Sequence, residues 1–350
     1  MRIKRAVTIV LFSLLLMGIC ASVAVAESED KVVLGFILPT MQEERWALDR
    51  DGFIAEAESL GAEVLFQASN NDERLQATQV ENMLTQGIDV LVLGAVNSSA
   101  AAAFVEKAHN EDVPFIAYTR PILNADVDYF VWHDLYDVGR LIAEYSYKAA
   151  PKGNWVLIEG DPGDDATAFM REAFFKVVQP HVDSGDIKIV VDQHALKWSP
   201  ENALKIAENS LTKYNNDIQA MCCWNDGTCR GAVRALQEQG MDASDCYTTG
   251  QDGDIANLQY IVEGKAGMTV FKPCPPLGAA AARAAYAIAT GKKPKTRGTL
   301  FNGKVDVPLI SVENIPVDKN NIVEALIKPG YVSLEQVYAN IPKSKWPKVK

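Results

Sequence analysis

Several things are scarce in this chain, and each scarcity removes a class of function. After residue 26 no stretch approaches the roughly 20 uninterrupted apolar residues that a membrane-spanning helix needs, so the body of the chain is expected to be soluble. Histidine is rare: His109, His133, His181 and His194 are scattered, and no cysteines are paired as C-x-x-C, so no metal centre is expected. Cations are outnumbered, with 34 Lys and Arg against 45 Asp and Glu for a net charge of −11. An acidic surface repels phosphate, which argues against nucleic acid and against anionic membranes as partners. The G-x-S-x-G elbow, the H-E-x-x-H zinc helix and the phosphate-binding P-loop are all missing, and nothing calls for a cofactor.

What is present begins with a leader. Arg2, Lys4 and Arg5 precede an apolar core over 6–20 and the small-residue stretch Ala24-Val25-Ala26, which together predict a secretory signal cleaved near Glu27. Cys20 follows Ile19 rather than a small residue, so lipidation is not expected. Losing the three leader cations takes the charge from −11 to −14, and the remaining 324 of 350 residues exceed one ordinary core, which predicts two domains. Five cysteines stay behind: Cys222, Cys223, Cys229, Cys246 and Cys274. Export permits a disulfide, with Cys222–Cys246 and Cys229–Cys274 both conceivable, but buried inert thiols are the preferred reading of Cys222 and Cys223.

From residue 32 onward short apolar runs alternate with helical stretches. Strands are expected over 32–38, 62–67, 90–94 and 113–118 with helices between them; a short strand over 126–131 then leads to a second series of the same design over 155–159, 187–191, 220–223, 246–249 and 268–271. Fully apolar strands separated by helices imply parallel sheets covered on both faces. The chain is expected to cross between two α/β lobes three times: at Arg120-Pro121, at Lys272-Pro273-Cys274-Pro275-Pro276, and around 300–307. The lobes then comprise 27–121 with 273–302 and 122–272 with 303–350, and the lysine-rich tail over 342–350 is expected to be frayed or lightly docked.

Polar residues directly after such strands lie at the carboxyl edge of a sheet, where ligands bind in α/β proteins. Trp224-Asn225-Asp226-Gly227 and Gly250-Gln251-Asp252-Gly253-Asp254 follow two strands in this way, although capping of the next helix is the commonest work of such residues. Glu44-Arg45-Trp46, Thr119-Arg120, Gly160-Asp161-Pro162-Gly163-Asp164-Asp165, Trp198 and Lys272 occupy comparable edges. Amides and carboxylates accept from hydroxyls, guanidinium forks donate to them, and an indole face stacks on a sugar's C–H face. Asp164 with Asp252 could in principle act as a glycosidase pair, but a sugar binder needs the same acids simply as acceptors.

The stretches Glu44-Arg45-Trp46, Ala57-Glu58-Ser59-Leu60-Gly61-Ala62, Gln79-Val80-Glu81-Asn82-Met83, Pro200-Glu201-Asn202-Ala203-Leu204-Lys205-Ile206, Gly250-Gln251-Asp252 and Val317-Asp318-Lys319-Asn320-Asn321-Ile322 carry a resemblance that covers nearly all of the mature chain. The chain resembles the periplasmic sugar-binding proteins of ABC importers, type I or ribose-binding-like, and among them the D-xylose binders. The resemblance implies two Rossmann-like lobes on a three-crossing hinge, closing on a monosaccharide and presenting it to a membrane permease. It assigns sugar contact to Arg45, Trp46, Arg120, Asp164, Trp198, Asn225, Asp252 and Lys272. Arg45 and Arg120 are then donors of the first lobe, Asp164, Asn225 and Asp252 partners in the second, the tryptophans platforms, and Lys272 a hinge-side donor. Thr119 stands where the xylose pattern has Asp, and Asp165-Ala166 where it has two asparagines, which leaves room for a hexose or another polyol. The same fold also serves sugar receptors that signal through a chemoreceptor. Transcription regulators share it too, but the leader, the acidity and the lack of an N-terminal helix-turn-helix set this chain apart from them.

Overall fold

The computed structural model describes residues 31–241 and 244–349, so the expected signal segment lies outside the described residues. The apolar runs assemble into two sheets. β1 (Val33–Leu38), β2 (Glu63–Ala68), β3 (Val90–Leu93), β4 (Phe115–Tyr118), β5 (Tyr129–His133), β11 (Thr299–Phe301) and β12 (Asp306–Val312) form the first, in the order β11-β12-β5-β4-β3-β1-β2. β6 (Gly153–Glu159), β7 (Ile187–His194), β8 (Ala220–Cys223), β9 (Tyr247–Asp252), β10 (Met268–Phe271) and β13 (Ile315–Asp318) form the second, in the order β13-β10-β9-β8-β6-β7. The central strands are apolar and buried throughout, as parallel strands covered on both faces must be. Among the described residues, antiparallel pairing occurs only where β11 meets β12 and β13 meets β10.

The α-helices of nine residues or more are α1 (Glu44–Ser59), α2 (Glu73–Thr85), α3 (Ala102–Asn110), α4 (Leu135–Ala149), α5 (Ala166–Asp183), α6 (Pro200–Lys213), α7 (Asp226–Glu238), α8 (Ile255–Glu263) and α9 (Cys274–Ala289). Side chains alternate across each strand. Leu34, Phe36 and Leu38 pack with Phe53 of α1 and Leu277 of α9, whereas Ile37 faces a core that continues through Leu91, Leu93 and Trp132 to Trp155 and Phe174. Val156, Ile158 and Met221 line the opposite face of the second sheet with Ala203, Val233 and Leu258. α9 returns to the first sheet and lies against α1. Contact is so close that a Cβ on Gly278 would sit 2.2 Å from the Asp49 carbonyl oxygen, so glycine alone fits.

The crossings expected at Arg120-Pro121 and around 300–307 lie further along the chain. β5 pairs in parallel with β4 (Ile116↔Tyr129) and with β12 (Leu309↔Phe130), so residues 129–133 and 306–312 belong to the first sheet rather than the second. The chain therefore leaves the first sheet after His133 and again after Val312. Arg120-Pro121 turns the backbone without changing sheets, because strand pairing rather than a local bend decides where a segment belongs. The middle crossing falls where it was expected, between Phe271 and Cys274. The tail is docked by Trp346, whose Nε1 donates to Ile341 O at 2.8 Å and whose ring lies 6.4 Å from that of Tyr338.

The five described cysteines are free and buried. Cys222 donates to Ser146 Oγ at 3.3 Å, and burial pushes its thiol up to about 12. Neither conceivable disulfide is formed. Among the described residues no helix is long and apolar enough to cross a membrane, and no cluster of side chains could hold a metal ion.

Candidate functional site

The carboxyl ends of the two sheets meet, and the polar residues after each strand are buried there. α1 starts immediately after the β1 loop, which puts Arg45 and Trp46 in its first turn. Arg45 donates through Nε (3.1 Å) and Nη2 (2.9 Å) to Asp49 Oδ2, one helical turn on, and its Nη1 lies 3.4 Å from Asp252 Oδ1 of the second sheet. Its guanidinium sits 4.5 Å from the centre of the Trp46 ring, a cation–π distance. Trp46 Nε1 donates to Glu43 Oε2 at 2.8 Å. Arg120, just past β4, pairs with Asp164 across the junction at 2.8 Å and donates to Ala95 O at 2.8 Å.

Asp252 ends β9 with φ at 105°, a conformation that side chains rarely adopt, and this turns its carboxylate toward Lys272 Nζ at 2.8 Å. Asn225 caps α7: its Oδ1 accepts from Thr228 N at 2.8 Å, so the capping reading of this residue holds. That bond occupies the amide oxygen and fixes the side chain at the sheet edge. Asp226, by contrast, points into the fold. It is fully buried and accepts from Gly253 N, Asp254 N, Asn257 Nδ2 and Thr269 Oγ1, all at 2.7–2.8 Å. It is the clamp that shapes the turn after Asp252. Trp198 lies in a short turn where Lys197 and Trp198 have φ of 58° and 55°, and its ring covers Gly160 so closely that a Cβ there would be 2.1 Å away.

All eight residues expected at the site are buried, none exceeding 7% exposure; Arg45, Trp46, Arg120, Asp164, Asp252 and Lys272 are brought together at this junction, whereas the contacts of Asn225 and Trp198 are with Thr228 and Gly160 of the second lobe. Sequence reasoning missed Asp49, Tyr118 and His133. Tyr118 donates to Asp49 Oδ1 at 2.5 Å, so Asp49 bridges an arginine and a tyrosine in the interior. Its spacing, four residues after Arg45 on a helix, was the available signal. Burial drives the His133 imidazole well below its usual range, and Arg45 and Lys272 beside it push the same way, so it is neutral. Burial likewise lowers Lys272, helped by Arg45 and opposed by Asp252, and raises Asp164 against the pull of Arg120.

Three buried cations, Arg45, Arg120 and Lys272, thus face three carboxylates, Asp49, Asp164 and Asp252. A balanced set offers directional donors and acceptors without net charge, which fits a neutral hydroxylated ligand better than an ion. Thr119 Oγ1 and Trp198 Nε1 are buried with no partner in the protein. Such atoms call for a hydrogen-bonding partner. Thr119 has φ of 57°, so its backbone is strained as well. A cavity of about 130 Å³ reaches Arg45, Asp252 and Lys272, and a depression of about 440 Å³ touches Asp164 from another side. The two sheets are further tied by Ser98 N to Gly163 O (3.1 Å), Asp165 N to Ser98 Oγ (3.2 Å) and Ile255 N to Glu44 Oε2 (3.1 Å).

That depression is floored by Glu159, the last residue of β6 and 1% exposed. One of its oxygens meets Arg171, which also grips Asp192 at 2.6 and 3.0 Å, and the other has no hydrogen bond. Burial pushes Glu159 from 4.5 up to about 8, with Arg171 opposing and Asp192 adding to the rise. The folded protein then keeps a proton that the unfolded chain releases above 4.5. The stability this contributes is complete below about 4.5 and is lost as pH rises toward about 8. Glu159→Gln cannot ionise, so its thermal midpoint should gain on that of the native protein between pH 5 and pH 8. A difference that stays constant over this range would contradict the assignment.

Residues 34–293 match the model of a family described as the periplasmic binding protein domain. The chain is 41% identical over 320 residues to the D-xylose-binding periplasmic protein of Escherichia coli (strain K12), covering 91% of this chain and 97% of that one. It is 29% identical over 340 residues to a multiple sugar-binding periplasmic receptor of Rhizobium radiobacter, covering 91% and 96%. Among solved structures it is similar to a carbohydrate transporter solute-binding protein from Chloroflexus aurantiacus in complex with D-glucose, with a TM-score of 0.81, 30% identity, and coverage of 87% of this chain and 98% of that one. With its two-lobed α/β architecture, the chain belongs to the periplasmic binding protein family.

Proposed function

We propose that this protein binds a neutral monosaccharide, xylose or a related pentose or hexose, between its lobes in the periplasm and delivers it to an ABC importer in the membrane. The observation that carries this reading is the buried, charge-balanced junction of Arg45, Arg120 and Lys272 with Asp49, Asp164 and Asp252, flanked by Trp46 and Trp198. In this role Arg45, Arg120 and Lys272 donate to sugar hydroxyls while Asp164 and Asp252 accept from them. Asn225 donates through its amide nitrogen, its oxygen being held by Thr228, and the indoles stack on the ring. Ligand binding favours the closed arrangement because only there do both lobes touch the sugar. The chain carries out no chemistry of its own, and its leader is cleaved on export. Nucleic acid has no place in the function.

Ala166, at the start of α5 beside Asp164, and Thr119 leave more room than the acid and amides of the xylose pattern, so a hexose is as suitable a ligand as a pentose. The Rhizobium radiobacter relative is named a receptor, which favours a second reading in which the loaded protein also engages a chemoreceptor. A pull-down from membranes with and without sugar separates the two roles. The ligand class is tested by thermal shift with D-xylose, D-glucose, D-galactose and D-ribose against D-glucuronate and D-glucosamine. One neutral sugar at a hundredfold excess over its Kd should raise the midpoint by roughly 5 °C or more. A larger shift with the charged sugars would sink the reading.

A further inference from the structure

On an acidic chain one segment is anomalous. Between Glu263 and Asp306 there is neither Asp nor Glu. Three of the cations in this stretch are accounted for: Lys265 pairs with Glu263, Lys272 with Asp252 and Arg283 with Glu56. Lys292, Lys293, Lys295, Arg297 and Lys304 are exposed and form no ion pair among the described residues. Lys292 and Lys293 sit just past the end of α9, where a cation complements the helix dipole, so a structural role suffices for those two. That effect fades within a turn and does not explain Lys295 or Arg297.

The geometry beside them adds an apolar element. β11 is the outermost strand of the first sheet. Leu300 packs inward on the core, and with the two-residue period of a strand Thr299 and Phe301 face the other way. Phe301 is 63% exposed, more than any other large apolar side chain among the described residues. Asp306 is its cross-strand neighbour. The edge thus carries an exposed aromatic at its hairpin turn and a run of unpaired cations on the segment that leads into it.

We propose that this edge docks on a phospholipid surface bearing anionic headgroups. Lysine and arginine meet the phosphates and Phe301 enters the boundary between headgroups and acyl chains, as basic-aromatic surfaces do at membranes. A run of long, exposed cations suits a planar, diffuse array of charge better than a shaped protein partner, which would need a pocket for the aromatic. The net acidity that argues against anionic membranes for the chain as a whole does not reach this acid-free segment; it keeps the remaining surface off the membrane and so orients the molecule. The proposal is independent of which sugar is bound.

Sedimentation with large vesicles tests it, using the exported protein purified from the periplasm with its mature N-terminus verified by mass. The native protein should sediment with vesicles containing one-third phosphatidylglycerol at low salt, stay in solution with pure phosphatidylcholine, and be released by high salt. Combining Lys292→Gln, Lys293→Gln, Lys295→Gln and Arg297→Gln should lower partitioning on the order of a hundredfold. Phe301→Ser should lower it several-fold with the salt dependence retained, and both variants should keep native sugar binding. Equal partitioning of the native protein on both vesicle types, no partitioning at all, or an unchanged quadruple variant would overturn the proposal. So would self-association lost in the quadruple variant without vesicle binding, which would make a second copy's acidic surface the partner.

Discussion

Asp252→Asn is expected to remove sugar binding while leaving the fold standing. Asparagine has the same size as aspartate and tolerates positive φ, so the backbone at 105° is preserved. What disappears is the charge that faces Lys272 Nζ at 2.8 Å and Arg45 Nη1 at 3.4 Å. Removing one partner from a buried, hydrogen-bonded set of charges typically costs about 2 to 5 kcal/mol in binding, so affinity should fall roughly a hundred- to a thousandfold. The junction also gains one net positive charge, so sugar acids should lose less than neutral sugars. Asp252 opposes the burial that lowers Lys272. Without it the ammonium releases its proton closer to neutral pH, and residual binding should become pH-dependent. Calorimetry on the variant, beside an unliganded thermal midpoint within a few degrees of native, checks both parts. Undiminished affinity would remove Asp252 from the site.

The second large effect is on stability. Asp226 is adjacent to a proposed sugar contact but makes its bonds inward, to Gly253 N, Asp254 N, Asn257 Nδ2 and Thr269 Oγ1. Asp226→Ala leaves four buried donors without an acceptor. Each unsatisfied group costs about 1 to 3 kcal/mol, with partial relief from water, so unfolding in urea should show a loss of about 3 to 5 kcal/mol. Two of those donors belong to the turn immediately after Asp252, so affinity should fall as well, through positioning rather than contact. A loss under about 1 kcal/mol would show that this carboxylate does not hold the turn.

The contrast between Asn225 and Asp226 marks how far the sequence can be read. Both follow β8, and residue type alone placed both at a sheet edge. Their division of labour depends on β9 and β10, whose Gly253, Asp254 and Thr269 supply the donors for Asp226. Arg45, Trp46, Arg120, Asp252 and Lys272 were legible because each interrupts an apolar run or opens a helix next to one. Asp49 was hidden in a helix interior, where an aspartate reads as solvated surface until its neighbour Tyr118 is known to come from another strand. The crossing after His133 was misplaced because a proline marks a bend rather than a change of sheet, and the one after Val312 because strand partners are long-range. Burial of all five described cysteines follows from their apolar strands and helix faces, and the preference for inert thiols at Cys222 and Cys223 came from that.

The most direct test of the account is calorimetric titration of the exported protein, stripped of carried-over ligand by unfolding and refolding, with D-xylose, D-glucose, D-ribose, L-arabinose, D-galactose and myo-inositol. The account predicts that one of them binds one-to-one with a Kd in the micromolar range or tighter, and that this heat is lost in Asp252→Asn. Absence of heat with every one of these ligands, from a protein that has regained its native fold, would contradict it.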